Sequence, residues 1–279
     1  MSIELAIKYL PYVDEIFTKE SKKSLLTNQD FSFEGAGTVK IYKINTSKMN
    51  DYGRRGAAEG NWSRYGAVES LDATTETMVM SRDRSFTFAI DKLDQSETAN
   101  QLAGASALAR QVREVVVPEV DKYTYGVMCD NAGTKPEAVA LTKDNIYEQI
   151  LLGSKALDDA LVPEENRVLM VTPDVYRIMK LNPEIIMNTD VDSEKRKKGV
   201  IGYLDGAMVL KVSAALLPEN FGFMLSHPSA TVAPTKLEDY NTHTNPPGIN
   251  GILVEGRIAY DAFVMENKAK AIYYQEVTA

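Results

Sequence analysis

The chain has 279 residues, 44% hydrophobic and 25% charged, enough for one large domain or two smaller ones, each with its own core. A formal net charge of −8 supplies no global basic field for holding nucleic acid by counterion release. The single cysteine, Cys129, excludes an internal disulfide and a thiolate metal cluster; no apolar run approaches the roughly 20 residues of a membrane span, and MSIELAIKYLPYVDE lacks a secretory-signal pattern, so a cytosolic product is expected.

Residues 1 to about 30 hold apolar side chains at Ile3, Ile7 and Leu10 and are then mostly polar as far as Asp30, too few apolar groups for a compact domain. They read as an arm that lies against something else. GAGTVKIYKINTS, Gly35 to Ser47, alternates as a strand, with Val39, Ile41 and Lys43 on one face and Lys40, Tyr42 and Ile44 on the other. DYGRRGAAEGNWSRYG, Asp51 to Gly66, places glycines at 53, 56, 60 and 66 among three arginines and Trp62. It lacks the marks of a nucleotide cradle: no Gly-Lys-Ser/Thr and no helix follow it, and both flanks alternate in polarity as exposed strands do.

ETMVMSRDRSFTFAID, Glu76 to Asp91, puts Met78, Met80, Arg82, Arg84, Phe86, Phe88 and Ile90 on one side of a strand. The two extended segments make a long hairpin with no helix of its own to cover it, and an isolated hairpin is marginal in water. Two placements follow: the hairpin folds back on its own domain, or it lies on another chain. In the second case Arg54, Arg55, Trp62, Arg64, Arg82 and Arg84 supply ion pairs and packing there, with Trp62 as an anchor in the partner rather than a platform for bases.

The period changes at Asp94, where DQSE offers a capping box closed by Glu97. Leu102, Ala105, Ala109, Val112, Val116, Val120 and Tyr123 then recur at spacings of three and four, the pattern of a long amphipathic helix. Pro118 removes a backbone donor and predicts a kink or break near Glu114 to Val117. Ala99, Ala103, Gly104, Ala105, Ser106 and Ala107 let a neighbouring element approach closely. A second helix is expected from Thr142 through Ile146, Ile150, Gly153 and Leu157 to Leu161, then a strand RVLMVT, then a short helix with Thr172 as N-cap and Pro173 in its first position. GVIGYLDGAMVLKVS alternates again, FGFMLSHPSATVAP supplies another apolar strand, and Ile252 to Val277 holds two final strands. SEKRKKG, Ser193 to Gly199, is a solvated loop tip or a contact for an anion or a partner.

Chemistry is sparse. His227 and His243 lack partners at metal-ligand spacing; Glu238 and Asp239 are the carboxylates nearest them in sequence. No Gly-x-Ser-x-Gly elbow singles out a nucleophile. The acidic pairs Asp158/Asp159 and Glu164/Glu165 read as solvated surface, and Cys129 as an inert thiol. No enzyme activity, cofactor or metal is expected.

The run GVIGYLDGAMVLKVSAALLPEN, followed by ATVAPTKLEDYNTHTNPPGINGILVEGRIAYDAFVMENKAKAIYYQ, resembles the major capsid proteins of tailed bacteriophages, the Hong Kong 97-type family. SRDRSFTFAIDKLDQSETA and the helix continuing to VVPEVDKYTYG resemble that family's extended loop and spine helix. The resemblance implies an α+β fold divided into an N-terminal arm (1–34), an extended loop (35–91), a spine helix with part of a peripheral domain (92–135), an axial domain (136–245) and peripheral return strands (246–279). It implies a structural protein that assembles with itself into pentamers and hexamers of an icosahedral head, in the cytoplasm of a bacterial host, around double-stranded DNA held by non-specific contact. The glycines at 53, 56, 60 and 66 would let the hairpin tip bend differently in each neighbour environment. Lys195, Arg196, Lys197 and Lys198 would fall in or near the axial domain, neutralised by Glu194 or by carboxylates of another chain. The short arm implies a separate scaffolding protein, with a portal as a further partner, and nothing marks a lysine–asparagine crosslink. An encapsulin-type shell around cargo enzymes shares the architecture. A phosphate-binding enzyme using the glycine-rich stretch is the remaining alternative.

Overall fold

Alternating polarity on both sides of the glycine-rich stretch demands extended backbone, and both sides are strands. The computed structural model describes residues 21–28, 38–44, 48–56, 62–68, 73–93, 104–187 and 200–278. In it β1 (Thr38–Ile44) pairs antiparallel with β2 (Ala73–Val79), from Thr38 opposite Val79 to Ile44 opposite Ala73. These strands belong to a compact unit of their own, Phe33–Met80; the other unit comprises Met1–Ser32 and Ser81–Ala279.

The single strand expected over Glu76–Asp91 is in fact two. After Met80 the chain leaves the hairpin, and β3 (Arg82–Asp91) joins a different sheet. The reason is local: Asp261 Oδ2 accepts hydrogen bonds from the Ser81 backbone N–H (2.7 Å) and hydroxyl (3.0 Å), which fixes the first residue after the hairpin on the second unit.

The helical rod runs through α1 (Gly104–Gln111), a π-helical turn (Val112–Val116) and α2 (Val117–Asp130). The capping box at Asp94 and Glu97 lies outside the described residues. The irregularity expected from Pro118 takes the form of that wide turn, closed by the Val117 N–H donating to the Val112 carbonyl five residues back. Gly104, Leu108, Val112, Val116, Val120, Thr124 and Met128 are all buried, a strict spacing of four. In a regular α-helix such a row drifts by about 40° per step, and a π turn takes some of that drift out. Close approach through small residues is realised at Gly104, where a Cβ would stand 3.0 Å from the Ile252 side chain.

A second helix, α3 (Ile146–Asp159), is shorter at both ends than expected. The Asn145 side chain closes the preceding turn by accepting the Thr142 N–H at 2.8 Å. At the other end Val162 N–H donates to Leu157 O and Leu161 N–H to Asp158 O, a Schellman ending with Leu161 at φ +55°. Leu161 is 91% exposed and does not continue the apolar stripe. The strand β4 (Val168–Val171) leads into α4 (Pro173–Leu181), and the Thr172 hydroxyl accepts the Val175 N–H at 3.2 Å, the cap that Thr-Pro predicts.

β5 (Val200–Leu204) and β6 (Ala207–Lys211) form a hairpin across Asp205-Gly206. There follow β7 (Phe221–Ser226), β8 (Thr231–Val232), β9 (Thr235–Thr244), β10 (Gly251–Tyr260), β11 (Phe263–Val264) and β12 (Ile272–Glu276). Two principal sheets result, a three-stranded sheet ordered β3-β10-β9 and a five-stranded one ordered β12-β7-β4-β6-β5.

Strands β4 and β7 are buried at every position, as unbroken apolar runs predict for strands covered on both faces. Leu169 and Val171 face α3 and α4, whereas Val168 and Met170 face α2 through Tyr125, Met128 and Cys129. The first half of α2 instead packs Val117 and Val120 on Val254, Ile258 and Tyr260 of the three-stranded sheet. One rod therefore supports two cores.

Part of the stretch read as an arm lies against its own subunit: Leu26 is fully buried in the core under α2. Buried Asp121 accepts hydrogen bonds from the Ser21 hydroxyl (2.8 Å), the Lys22 N–H (3.2 Å) and the Tyr125 hydroxyl (3.3 Å), and Asn28 N–H donates to Thr231 O. Residues 1–20 and 29–34 lie outside the described residues.

Candidate inter-subunit surface

Within the Phe33–Met80 unit the strands deliver residues 48–56 and 62–68 to one end. Gly53 N–H donates to Arg64 O at 2.8 Å, Gly56 N–H to Gly53 O at 3.3 Å, and the Tyr52 and Tyr65 rings meet edge to face with centroids 5.0 Å apart. Gly66 has φ +96°, and a Cβ there would strike the Asn50 side chain. Three of the four glycines in this stretch, Gly53, Gly56 and Gly66, thus have local jobs; Gly60 lies outside the described residues.

The tip exposes large apolar groups. Met49 is fully exposed, Trp62 is 87% exposed and Tyr65 77%, and Tyr52 and Val68 are also exposed. Arg54, Arg55 and Arg64 are exposed around them. The Gly53–Arg64 bond brings Arg54 and Arg55 to the segment that carries Trp62, so four of the expected contact residues share this tip. Apolar exposure of this size is costly in water and makes the tip the candidate interaction surface. Sequence reasoning singled out Trp62 but missed Met49, Tyr52, Tyr65 and Val68; their nearness in sequence to the tryptophan was the available signal.

Arg82 and Arg84 sit on β3 in the other unit and have partners in their own chain. The Arg82 guanidinium lies 4.6 Å from the centre of the Tyr123 ring, and Arg84 Nε donates to Glu119 Oε1 at 2.8 Å while its side chain stays 60% exposed. Glu119 also accepts the Tyr260 hydroxyl at 3.1 Å; burial first, and the carboxylate second, push that phenol up to about 12. Lys195, Arg196, Lys197 and Lys198 lie outside the described residues.

Asp261 is the hub of this region and was not anticipated. Besides Ser81 it accepts the Tyr123 hydroxyl (2.8 Å) and the Ala262 N–H (2.8 Å) on Oδ1.

Other titratable groups have structural partners. Burial pushes the Cys129 thiol up to about 12, which makes it the inert thiol expected. His243 faces Glu255 at 3.3 Å rather than Glu238 or Asp239, and His227 Nδ1 meets the Ser229 hydroxyl at 2.8 Å. Asp158 is not free surface, because it pairs with the buried Arg167 at 2.7 Å. Among the described residues no three His, Cys, Asp or Glu side chains converge to hold a metal ion, and no helix is long and apolar enough to cross a membrane.

No protein-family model and no curated protein sequence matches the chain. Solved structures do. A structure from Mycobacterium phage Che8 superposes with TM-score 0.70 at 19% identity, over 92% of this chain and 90% of its own. The capsid structure of the cyanophage P-SCSP1u gives TM-score 0.67 at 13% identity, over 91% and 86%. The chain has the Hong Kong 97-type capsid fold. A virus-like particle from Pyrococcus furiosus also superposes, with TM-score 0.58 at 14% identity over 98% of this chain and all of the other. The capsid fold accounts for the mixture of a long helix, a separate two-stranded unit and two sheets, the α+β class read from the sequence.

Proposed function

We propose that the chain is the structural shell subunit of a tailed-phage or prophage head, assembling with itself into hexamers and pentamers around double-stranded DNA. The observation that carries this reading is the exposed tip of Met49, Tyr52, Trp62, Tyr65 and Val68 on a two-stranded unit, in a chain whose fold is that of phage capsids. Apolar groups of this size gain by transfer onto another copy, and a closed shell makes each weak contact multivalent. In this reading residues 1–34 are the arm, 35–91 the extended loop, 92–135 the spine helix and part of a peripheral domain, 136–245 an axial domain and 246–279 peripheral strands. Arg54, Arg55, Trp62, Arg64, Arg82, Arg84 and Lys195 to Lys198 supply inter-subunit contacts. Scaffolding protein and portal are separate chains, assembly takes place in the host cytoplasm, and the subunit has no catalytic role.

Negative-stain electron microscopy of the expressed chain, alone and with a candidate scaffolding protein, tests it. Closed particles are expected. A chain that stays monomeric in every condition overturns the proposal. The likeness to the Pyrococcus furiosus virus-like particle over 98% of the chain favours a second reading, a shell around protein cargo, and the contents of purified particles decide between nucleic acid and protein.

A further inference from the structure

Away from the hairpin tip, two lysines lie over one aromatic ring and a third is tied to the backbone of one of them. Tyr176 of α4 is half-buried. Lys180, one turn later, places Nζ 5.7 Å from the centre of its ring, and Lys211, the last residue of β6, places Nζ at 5.4 Å. Lys22, at the root of the arm, donates from Nζ to the Lys211 carbonyl at 3.1 Å. Among the described residues no carboxylate lies within ion-pair distance of Lys180 or Lys211. The acid close to this group is Asp121, which is buried and bound to Ser21 and to the Lys22 backbone. Burial lowers the pKa of the Lys22 ammonium, Asp121 opposes that shift, and the charge of Lys211 adds to it.

Like charges gathered beside a carboxylate that is itself buried and already hydrogen-bonded raise the free energy of the subunit, and an anion offsets that cost. We propose that Lys180 and Lys211 over Tyr176, with Lys22 on the Lys211 carbonyl, form a non-specific site for the phosphate backbone of double-stranded nucleic acid; this rests on the reading that the shell encloses DNA. Ammonium groups on flexible stems suit phosphate as point charges, whereas the carboxylates of an acidic protein are matched best by the arginine fork, which this site lacks. A DNA strand offers a phosphate about every 3.4 Å along its axis, so two ammonium groups beside one ring reach neighbouring phosphates. None of the four side chains is one that reads bases in bidentate fashion as Arg, Asn or Gln do. On a chain of net charge −8 such a site gives local, salt-sensitive attachment rather than coating of the whole surface.

The test is fluorescence anisotropy of a labelled duplex with the purified full-length chain across a range of KCl concentrations. The variants are Lys180→Gln, Lys211→Gln and the pair. Each lysine removed is expected to lower the magnitude of the slope of log K against log salt by about 0.9, so the pair lowers it by about 1.8, equally for unrelated duplex sequences. Slopes unchanged from the parent chain overturn the proposal, as does displacement of the duplex by polyglutamate at equal charge concentration, which would assign the site to an acidic protein. If the pair lowers the unfolding midpoint, Lys180→Gln on the exposed end of α4 decides alone: a slope equal to the parent's overturns the site. Electron microscopy of the same preparations separates the two readings. Particles with an unchanged slope sink the site and leave the shell; a reduced slope in a chain that never forms particles sinks the shell and leaves the site.

Discussion

The five-stranded sheet and the two-stranded hairpin unit are made of the same kind of element and differ in what covers it. In the sheet, β4 and β7 are buried at every position, with α3 and α4 on one side and α2 on the other. In the hairpin unit Met78 is the one described side chain that is buried, and the largest apolar groups stand in solvent at the tip. The sheet's apolar surface stabilises the subunit by itself. In the proposed shell that of the tip contributes when another copy covers it, so substitutions in the two regions should register in different measurements.

The sharpest contrast comes from truncating the covered region. Met170→Ala and Leu26→Ala are each expected to lower unfolding free energy by about 2–5 kcal/mol in denaturant titrations. A Leu26 variant as stable as the parent chain would detach the arm root from this core. Trp62→Ala is the counterpart: folding stability should stay within about 0.5 kcal/mol of the parent. Each intermolecular contact should lose about 2 kcal/mol, seen by light scattering as a roughly 30-fold higher concentration for particle formation. Equal losses of folding and assembly would erase the distinction between the regions.

Asp261 holds Ser81, the first residue after the hairpin unit in the chain. Asp261→Ala leaves the Ser81 N–H and the Tyr123 hydroxyl without their acceptor and should cost about 1–3 kcal/mol. Faster hydrogen exchange at the Ser81 amide is the local readout, and unchanged exchange would show that the junction is held by something else. The smallest effect concerns pH. Burial lowers the pKa of His227 below the ordinary 6.5, and Nδ1 accepts the Ser229 N–H, so the folded chain favours the neutral ring. That contribution is complete above the unfolded value and is lost as pH falls below about 6.5. His227→Asn should flatten the slope of stability against pH in this window; an unaltered slope would assign it to other groups.

Where a run of residues shares one environment, sequence was a good guide. VLMV and FGFMLS read as strands without a polar face, and Thr-Pro marked the start of α4. The strand β9, TKLEDYNTHT, escaped because it is an edge strand whose pattern is mostly polar, with Tyr240 as its buried anchor. Leu26 escaped because one buried leucine in a polar segment makes no period. The tip was half legible: tryptophan beside glycine and arginine drew notice, while the tyrosine contact that shapes it depends on a closed turn. Convergence over long separations left no trace, as with Asp261 and Ser81 or Lys22, Tyr176 and Lys211.

The wide turn at Val112–Val116 lets the rod carry one residue more than a regular helix would hold there. Its hydrogen bond reaches back five residues instead of four, so the chain turns less per residue and the segments on either side keep their phase. Removing one residue from this turn would leave a regular helix with Leu108 still on the three-stranded sheet and Met128 still under the five-stranded one, whereas removing one from α1 or α2 would swing everything beyond it by about 100° about the axis. A loop absorbs an indel by slackening; here the slack is a single widened turn, and descendants of the gene can shed a codon at this stretch more cheaply than elsewhere along the rod.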